Sequence, residues 1–243
     1  MRKLIEMWLR VGSFAKFFFL LVLNILKRLL DTRRTVIPQN LLRTIQKAMM
    51  KNYHWRGLPF HKNPFDIAIY LKILQDLMPK VIIEIGSASG GSAKFFADQT
   101  KLLELGSSVY SLDINPVVGL NEKNLHFFEG DILRLEDSLV PKILKDAKRP
   151  LLVVEDGPHT FEGCLAALNF FHMHLEPGDM IVVEDGNLRD FGIRYLGLND
   201  GPNRAVKEFL KFHSNQYTVR TDLCDFYGQN ATWNTDGYLE RTA

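Results

Sequence analysis

The chain has 243 residues, 46% of them hydrophobic, which excludes a disordered chain and allows one full α/β domain with an appendage. The net charge of +2 conceals a split, because residues 1–62 carry 13 Lys and Arg against 2 Asp and Glu while the remainder carries 17 against 26. A basic arm is joined to an acidic domain, which suits an anionic surface or partner for the arm, or simply a solvated helical face.

Residues 1–35 read as one or two helices. Within them, residues 17–23 form a continuous apolar run bounded by Lys16 and, after Asn24-Ile25-Leu26, by Lys27 and Arg28. That run is shorter than the roughly 20 apolar residues a membrane span needs. No small-residue cleavage signature follows it, which argues against a secretory signal. Trp8, Phe14, Phe17, Phe18 and Phe19 among basic residues suit a helix lying in a membrane interface. Packing on a second copy of the chain is the other reading, so a homo-oligomer stays open. The arm lacks a nucleic-acid recognition motif, and its apolar run suits lipid or protein better. Cys164 and Cys224 show no ligand spacing and fit a reducing compartment. The expected location is cytoplasmic, peripheral on the membrane if the arm binds it.

A second helix is expected over 40–51, then an irregular stretch over 53–59 rich in aromatic and cationic residues. Asn63-Pro64-Phe65-Asp66 predicts a helix start with proline in the first turn, and the helix runs to Met78 before Pro79. From Lys80 the pattern alternates. Strands are predicted over 81–85, 109–112 and 125–128, then two more running from Leu151 to Asp156 and from Met180 to Asp185, and helices over 93–105, 139–147, 160–175 and 203–213. Two closing strands are predicted over 217–223 and 238–241. This rhythm gives a doubly wound, mostly parallel, Rossmann-like sheet. The domain boundaries drawn from it are a helical extension over 1–52 and an α/β domain over 53–243.

The first loop is Glu84-Ile85-Gly86-Ser87-Ala88-Ser89-Gly90-Gly91-Ser92. It matches neither the dinucleotide fingerprint nor a P-loop. An acidic residue just before the first glycine suits S-adenosylmethionine, with Glu84, Gly86, Ser87, Gly90 and Ser92 as the binding loop. Asp113 ends the second strand, where a carboxylate accepts ribose hydroxyls, and Asp131 follows the third, placed to face an adenine.

Two apolar runs end in acidic clusters, Leu151-Leu152-Val153-Val154-Glu155-Asp156 and Met180-Ile181-Val182-Val183-Glu184-Asp185. A right-handed crossover puts both ends on one sheet edge. Asp156, Glu184 and Asp185 then offer three oxygens to Mg²⁺, with positions left for substrate oxygens. His159, three residues past Asp156, is the candidate general base. His172 and His174, two residues apart, do not share a helix face and read as surface or packing. Residues 187–199, with Arg189, Arg194 and Tyr195, are long enough for a lid or acceptor loop.

From residue 53 onward the chain resembles the cephalosporin-hydroxylase-like family of class I methyltransferases. The resemblance rests on Val81-Ile82-Ile83-Glu84-Ile85-Gly86 with Gly90-Gly91-Ser92, on Asp156-Gly157-Pro158-His159, and on Val182-Val183-Glu184-Asp185. Gly201-Pro202 and Asp236-Gly237-Tyr238-Leu239-Glu240-Arg241 add to it. It implies a metal-dependent O-methyltransferase of sugars, with Mg²⁺ on Asp156, Glu184 and Asp185 and His159 as base. Pro158 stands where the family usually carries a small polar residue, and residues 1–50 fall outside the resemblance. The acceptor implied is a small-molecule or lipid-linked sugar. An oxidoreductase, as the family's name suggests, and a non-catalytic cofactor-binding module tethered to a membrane are the alternatives.

Overall fold

The computed structural model describes residues 33–191 and 201–243. The apolar run at 17–23 lies outside the described residues, as do Arg194, Tyr195 and the side chain of Arg189 in the expected acceptor loop. Among the described residues no helix is long and apolar enough to cross a membrane.

One compact unit runs over Thr35–Ala243. It therefore includes helix α1 (Gln39–Asn52), which the sequence places in the extension. Gln39 Nε2 donates to the Asp190 carbonyl at 2.8 Å, Arg43 donates to the Phe191 carbonyl at 2.8 Å, and Trp233 Nε1 donates to Gln46 Oε1 at 2.8 Å. The stretch expected to be irregular is a small hairpin of β1 (His54–Trp55) and β2 (Leu58–Pro59). Its turn residues, Arg56 at φ 53° and Gly57 at φ 84°, both take the left-handed form that matches strand twist in two-residue hairpins.

Helix α2 (Pro64–Leu77) starts where Asn63 Oδ1 accepts from the Phe65 and Asp66 amides, each at 3.0 Å. This satisfies two of the amides a helix start leaves free. The alternating part follows as β3 (Val81–Ile85), α3 (Gly91–Leu102), β4 (Ser108–Asp113), β5 (Leu125–Glu129) and α4 (Val140–Asp146). Then come β6 (Leu151–Glu155), α5 (Phe161–His172), β7 (Met180–Val183), α6 (Gly201–His213), β8 (Tyr217–Val219), α7 (Thr221–Cys224) and β9 (Tyr238–Arg241).

The seven-stranded sheet has the order β5-β4-β3-β6-β7-β9-β8. The first five strands are parallel, and β9 runs antiparallel to both of its neighbours. This is the doubly wound, mostly parallel sheet expected, closed at one end by an antiparallel strand. Both faces of β3, β6 and β7 are covered, which explains their unbroken apolar runs. Ile83, Val153 and Ile181 meet Leu168 and Phe171 of α5 and Phe209 of α6. Ile82, Val154 and Val182 meet Tyr70 and Ile73 of α2 and Phe96 of α3.

The strand expected over 217–223 stops at Val219. Arg220 turns back, with Nε 2.8 Å from Asp222 Oδ1 and Nη1 2.9 Å from Glu240 Oε2. The Leu223 amide closes that turn on the Arg220 carbonyl at 3.0 Å.

Between α7 and β9 lies a polar plug. Asn230, Thr232, Asn234 and Thr235 are each 0% exposed, behind the end of β7. Thr232 Oγ1, Tyr238 OH, Asn63 Nδ2 and the Trp233 amide all donate to the Asp66 carboxylate. The sequon Asn230-Ala231-Thr232 is thus buried in the fold.

Candidate active site

The sheet changes direction between β3 and β6, and a cavity of about 680 Å³ opens at their C-terminal ends. Doubly wound sheets bind ligands at this place, because the connections that follow the two adjacent strands leave toward opposite faces of the sheet and open a crevice between them.

Gly86 makes the crevice possible. It has φ +95°, and a Cβ there would lie 2.0 Å from the Asp156 carbonyl oxygen. Its amide donates to the Leu112 carbonyl at 2.8 Å, and the Asp156 amide donates to the Ile85 carbonyl at 2.9 Å. The ends of β3, β4 and β6 are thereby stitched together. Ser87, Ser92, Asp113 and Asp131 line the cavity with Gly86. Asp113 Oδ2 accepts from the Ala88 amide at 3.2 Å and its Oδ1 from the Asn115 amide at 3.0 Å. Asp131 Oδ1 accepts from the Leu133 amide at 2.9 Å.

Glu84 and Gly90 stand beneath this surface rather than on it. Glu84 is 0% exposed and accepts from Ser111 Oγ at 2.6 Å, and Ser111 meets Ser87 Oγ at 2.7 Å. Burial pushes the Glu84 carboxyl up to about 7 against the pull of Lys62 and the serines. Gly90, at φ +79°, starts α3 beside Phe127 and Leu120.

On the other side of the crevice, Asp156, His159 and Asp185 bring one ligand atom each to within 4.8 Å of one another. His159 Nε2 lies 3.2 Å from Asp185 Oδ2 and 3.9 Å from Asp156 Oδ1. His159 and Asp185 both hold left-handed backbones, at φ 54° and 56°. That conformation is strained for residues with side chains and clusters at functional sites. Burial alone would lower the His159 imidazole, but Asp185, Asp156 and Glu155 outweigh it and raise it above its ordinary value. His159 Nδ1 is buried with no hydrogen-bond partner in the fold.

Glu184 is not in this cluster. Its Oε1 accepts from Tyr70 OH at 2.5 Å and its Oε2 from Lys62 Nζ at 2.7 Å. Lys62 also reaches Asp156 Oδ2 at 2.5 Å. β7 ends at Val183; Glu184 lies under the sheet edge, and the left-handed backbone at Asp185 turns its side chain into the cavity. Lys62 and Tyr70 are the residues that the sequence reading missed. The available signal was charge balance, since three carboxylates at one sheet edge require positive partners. Burial alone would lower the Lys62 ammonium, but Asp156, Glu184 and Glu84 hold it well above the ordinary lysine value.

The donor set suits a hard divalent cation, being carboxylate oxygen with one imidazole at the rim of an open cavity. The loop suits a ligand that must come close to the backbone, since the Gly86 position leaves no room for a side chain. His172 ends α5 and His174 lies in the turn just past it; His172 packs against His213 with ring centroids 3.9 Å apart. The far end of the cavity is walled by Gln46, Met49 and Met50 of α1 with Leu188.

The chain is similar to a rhamnosyl O-methyltransferase of Mycobacterium leprae (strain TN), 29% identical over 197 residues, which are 77% of this chain and 82% of the relative. A rhamnosyl O-methyltransferase of Mycobacterium bovis (strain BCG) is 28% identical over 195 residues, 77% of each chain. A solved structure of CmcI in its Mg-SAM form superposes with a TM-score of 0.60 at 26% identity, covering 79% of this chain and 77% of that one. The family model described as rhamnosyl O-methyltransferase/CmcI matches residues 47–242. That match runs through the glycine loop, both acidic strand ends and Lys62, and this protein belongs to the rhamnosyl O-methyltransferase/CmcI family.

Proposed function

We propose that this protein transfers the methyl group of S-adenosylmethionine to a hydroxyl of a sugar-bearing acceptor, with a divalent cation at Asp156 and Asp185 and His159 as general base. Family membership makes it an S-adenosylmethionine-dependent O-methyltransferase. The acceptor class and the residue roles are our reading. The observation that carries them is the convergence of Asp156, Asp185 and His159 on the cavity that the glycine loop opens.

When bound, the cofactor supplies an electrophilic methyl group, and the cation supplies a positive charge that makes a nearby hydroxyl easier to deprotonate. The chain supplies the rest. Gly86 lets the ligand approach the backbone, and Asp113 offers carboxylate lone pairs where a ribose would lie. Asp156 and Asp185 would hold the cation, His159 Nε2 would take the hydroxyl proton, and the cavity walls would align the acceptor with the cofactor. Alignment of this kind is the main contribution an enzyme makes to such a displacement. The sugar specificity follows the relatives' names, and the apolar wall of Met49, Met50 and Leu188 gives room for a group beyond the sugar.

His159 could serve as a ligand as well as a base, and one variant separates the two. For His159→Ala we expect manganese and S-adenosylhomocysteine to bind as in the unaltered protein while methyl transfer falls 10²- to 10⁴-fold, the usual worth of a general base. Loss of manganese binding would make His159 a ligand. Full turnover would remove it from the chemistry.

A further inference from the structure

Asp156, Glu184 and Asp185 bring three carboxyl groups to the ends of β6 and β7, and a divalent ion offers them only two positive charges. The third is built into the fold. Lys62 is 3% exposed, and its Nζ lies 2.5 Å from Asp156 Oδ2 and 2.7 Å from Glu184 Oε2. We propose that Lys62 is an internal counter-cation of the metal centre, sharing Asp156 with the ion and holding Glu184 away from it, and so keeping the ion's affinity below what unpaired carboxylates would give. This rests on the metal reading above.

The ammonium is a fixed charge. Its backbone is held on one side by Phe60, which is fully buried and donates its amide to the Tyr53 carbonyl at 3.1 Å. On the other side Asn63 caps α2. The remaining oxygen of Glu184 is occupied by Tyr70 OH, so Glu184 cannot turn away from Lys62 without losing a second hydrogen bond. A buried ammonium persists only when paired, and here both partners belong to the acidic strand ends. Asp156 divides its two oxygens, Oδ2 to Lys62 and Oδ1 toward His159 in the cavity. A divalent ion arriving at Oδ1 meets a positive charge on the same carboxylate, and like charges at such separations repel strongly in a half-buried site. In exchange, the carboxylates stay in place when no ion is bound. Lys62 is thus a positioning residue with a direct effect on affinity.

The test uses Mn²⁺ as the probe ion on the full chain, with free Mn²⁺ counted by electron paramagnetic resonance. Lys62→Met is expected to bind Mn²⁺ at least tenfold more tightly than the unaltered protein, and Asp185→Asn to lose the ion, which places the counted ion in this centre. Equal or weaker binding by Lys62→Met, with the unaltered protein binding normally, overturns the role of Lys62 and leaves the metal reading standing. No binding by either protein overturns both. If Lys62→Met fails to fold, the unaltered protein answers the question through ¹⁵N-lysine labelling. Lys62 is the one buried lysine among the described residues, so its ammonium gives a slowly exchanging signal. That signal should move on Mg²⁺ addition with the ion's own saturation curve, and a signal unmoved at saturating Mg²⁺ overturns the proposal.

Discussion

Replacing Gly86 by alanine tests whether the crevice depends on one missing methyl group. A Cβ at this position would lie 2.0 Å from the Asp156 carbonyl oxygen, 2.7 Å from its carbon and 3.2 Å from Gly157 Cα. Such contacts do not occur below about 3 Å, so the end of β6 must retreat by roughly 1 Å. Retreat breaks the bond from the Asp156 amide to the Ile85 carbonyl and strains that from the Gly86 amide to the Leu112 carbonyl. Each is worth about 1 kcal/mol net. Holding alanine at φ +95° adds about 1–2 kcal/mol. The sum is about 3–4 kcal/mol, a large share of the 5–15 kcal/mol typical of a domain. The same retreat moves Asp156, and a displacement near 1 Å costs on the order of 10²-fold in rate. The assay is urea unfolding followed by tryptophan fluorescence, with methyl transfer measured in parallel. Gly119→Ala is the control, because Gly119 has φ +83° but nothing within 4 Å of a Cβ, so it reports backbone strain alone, about 1 kcal/mol. If Gly86→Ala unfolds within 1 kcal/mol of Gly119→Ala and keeps its activity, the close-approach argument is wrong.

Two further substitutions probe other parts of the molecule. Asp113→Ala should weaken S-adenosylhomocysteine binding by about 10- to 100-fold, as expected for a lost charge-assisted pair; calorimetry should show Mn²⁺ binding unchanged, and equal loss of both ligands would mean the loop had collapsed instead. Asp66 is pushed by burial to about 6 from 3.8, despite its four donors. The native state therefore holds the proton between about pH 4 and 6 where the unfolded chain does not. Its contribution to stability is present at low pH and lost as pH rises through about 6, with a maximal slope near 1.4 kcal/mol per pH unit. The difference in unfolding free energy between the unaltered protein and Asp66→Asn should shrink over that interval, and a difference independent of pH would show that Asp66 stays ionised throughout.

The parts of this fold visible in the sequence are those whose burial is two-sided. The strands β3, β6 and β7 announce themselves as apolar runs because helices cover both faces, and the carboxylates ending two of them mark the site. The hairpin of β1 and β2 is invisible for the opposite reason. Its strands are two residues long, and its turn places Arg56, not asparagine or glycine, in the left-handed conformation. The pattern after Tyr217 suggests a longer strand than forms, because the backbone turns at Arg220, whose carbonyl takes the Leu223 and Cys224 amides. In the site, Asp156, His159 and Asp185 converge as their spacing suggests. Glu184 diverges from Asp185 because the backbone leaves the strand there and turns left-handed at Asp185. Lys62 comes from 94 residues before Asp156, and no local pattern connects the two.

The polar plug over 230–238 sets an order of assembly. The Asp185 amide is 3.3 Å from Asn234 Oδ1, the Val183 amide donates to the Gly237 carbonyl at 2.9 Å, and Gly186 packs directly on Thr235. The carboxylate that faces the cavity is thus set from behind by residues synthesised about 50 positions later. On the ribosome, a nascent chain can close the glycine loop only once Asp156 has emerged, because Gly86 packs on the Asp156 carbonyl. It cannot orient Asp185 until the plug has emerged and docked. A chain ended before residue 234 would therefore lack the support that sets Asp185, and the complete site would arise only in molecules that had finished their sheet.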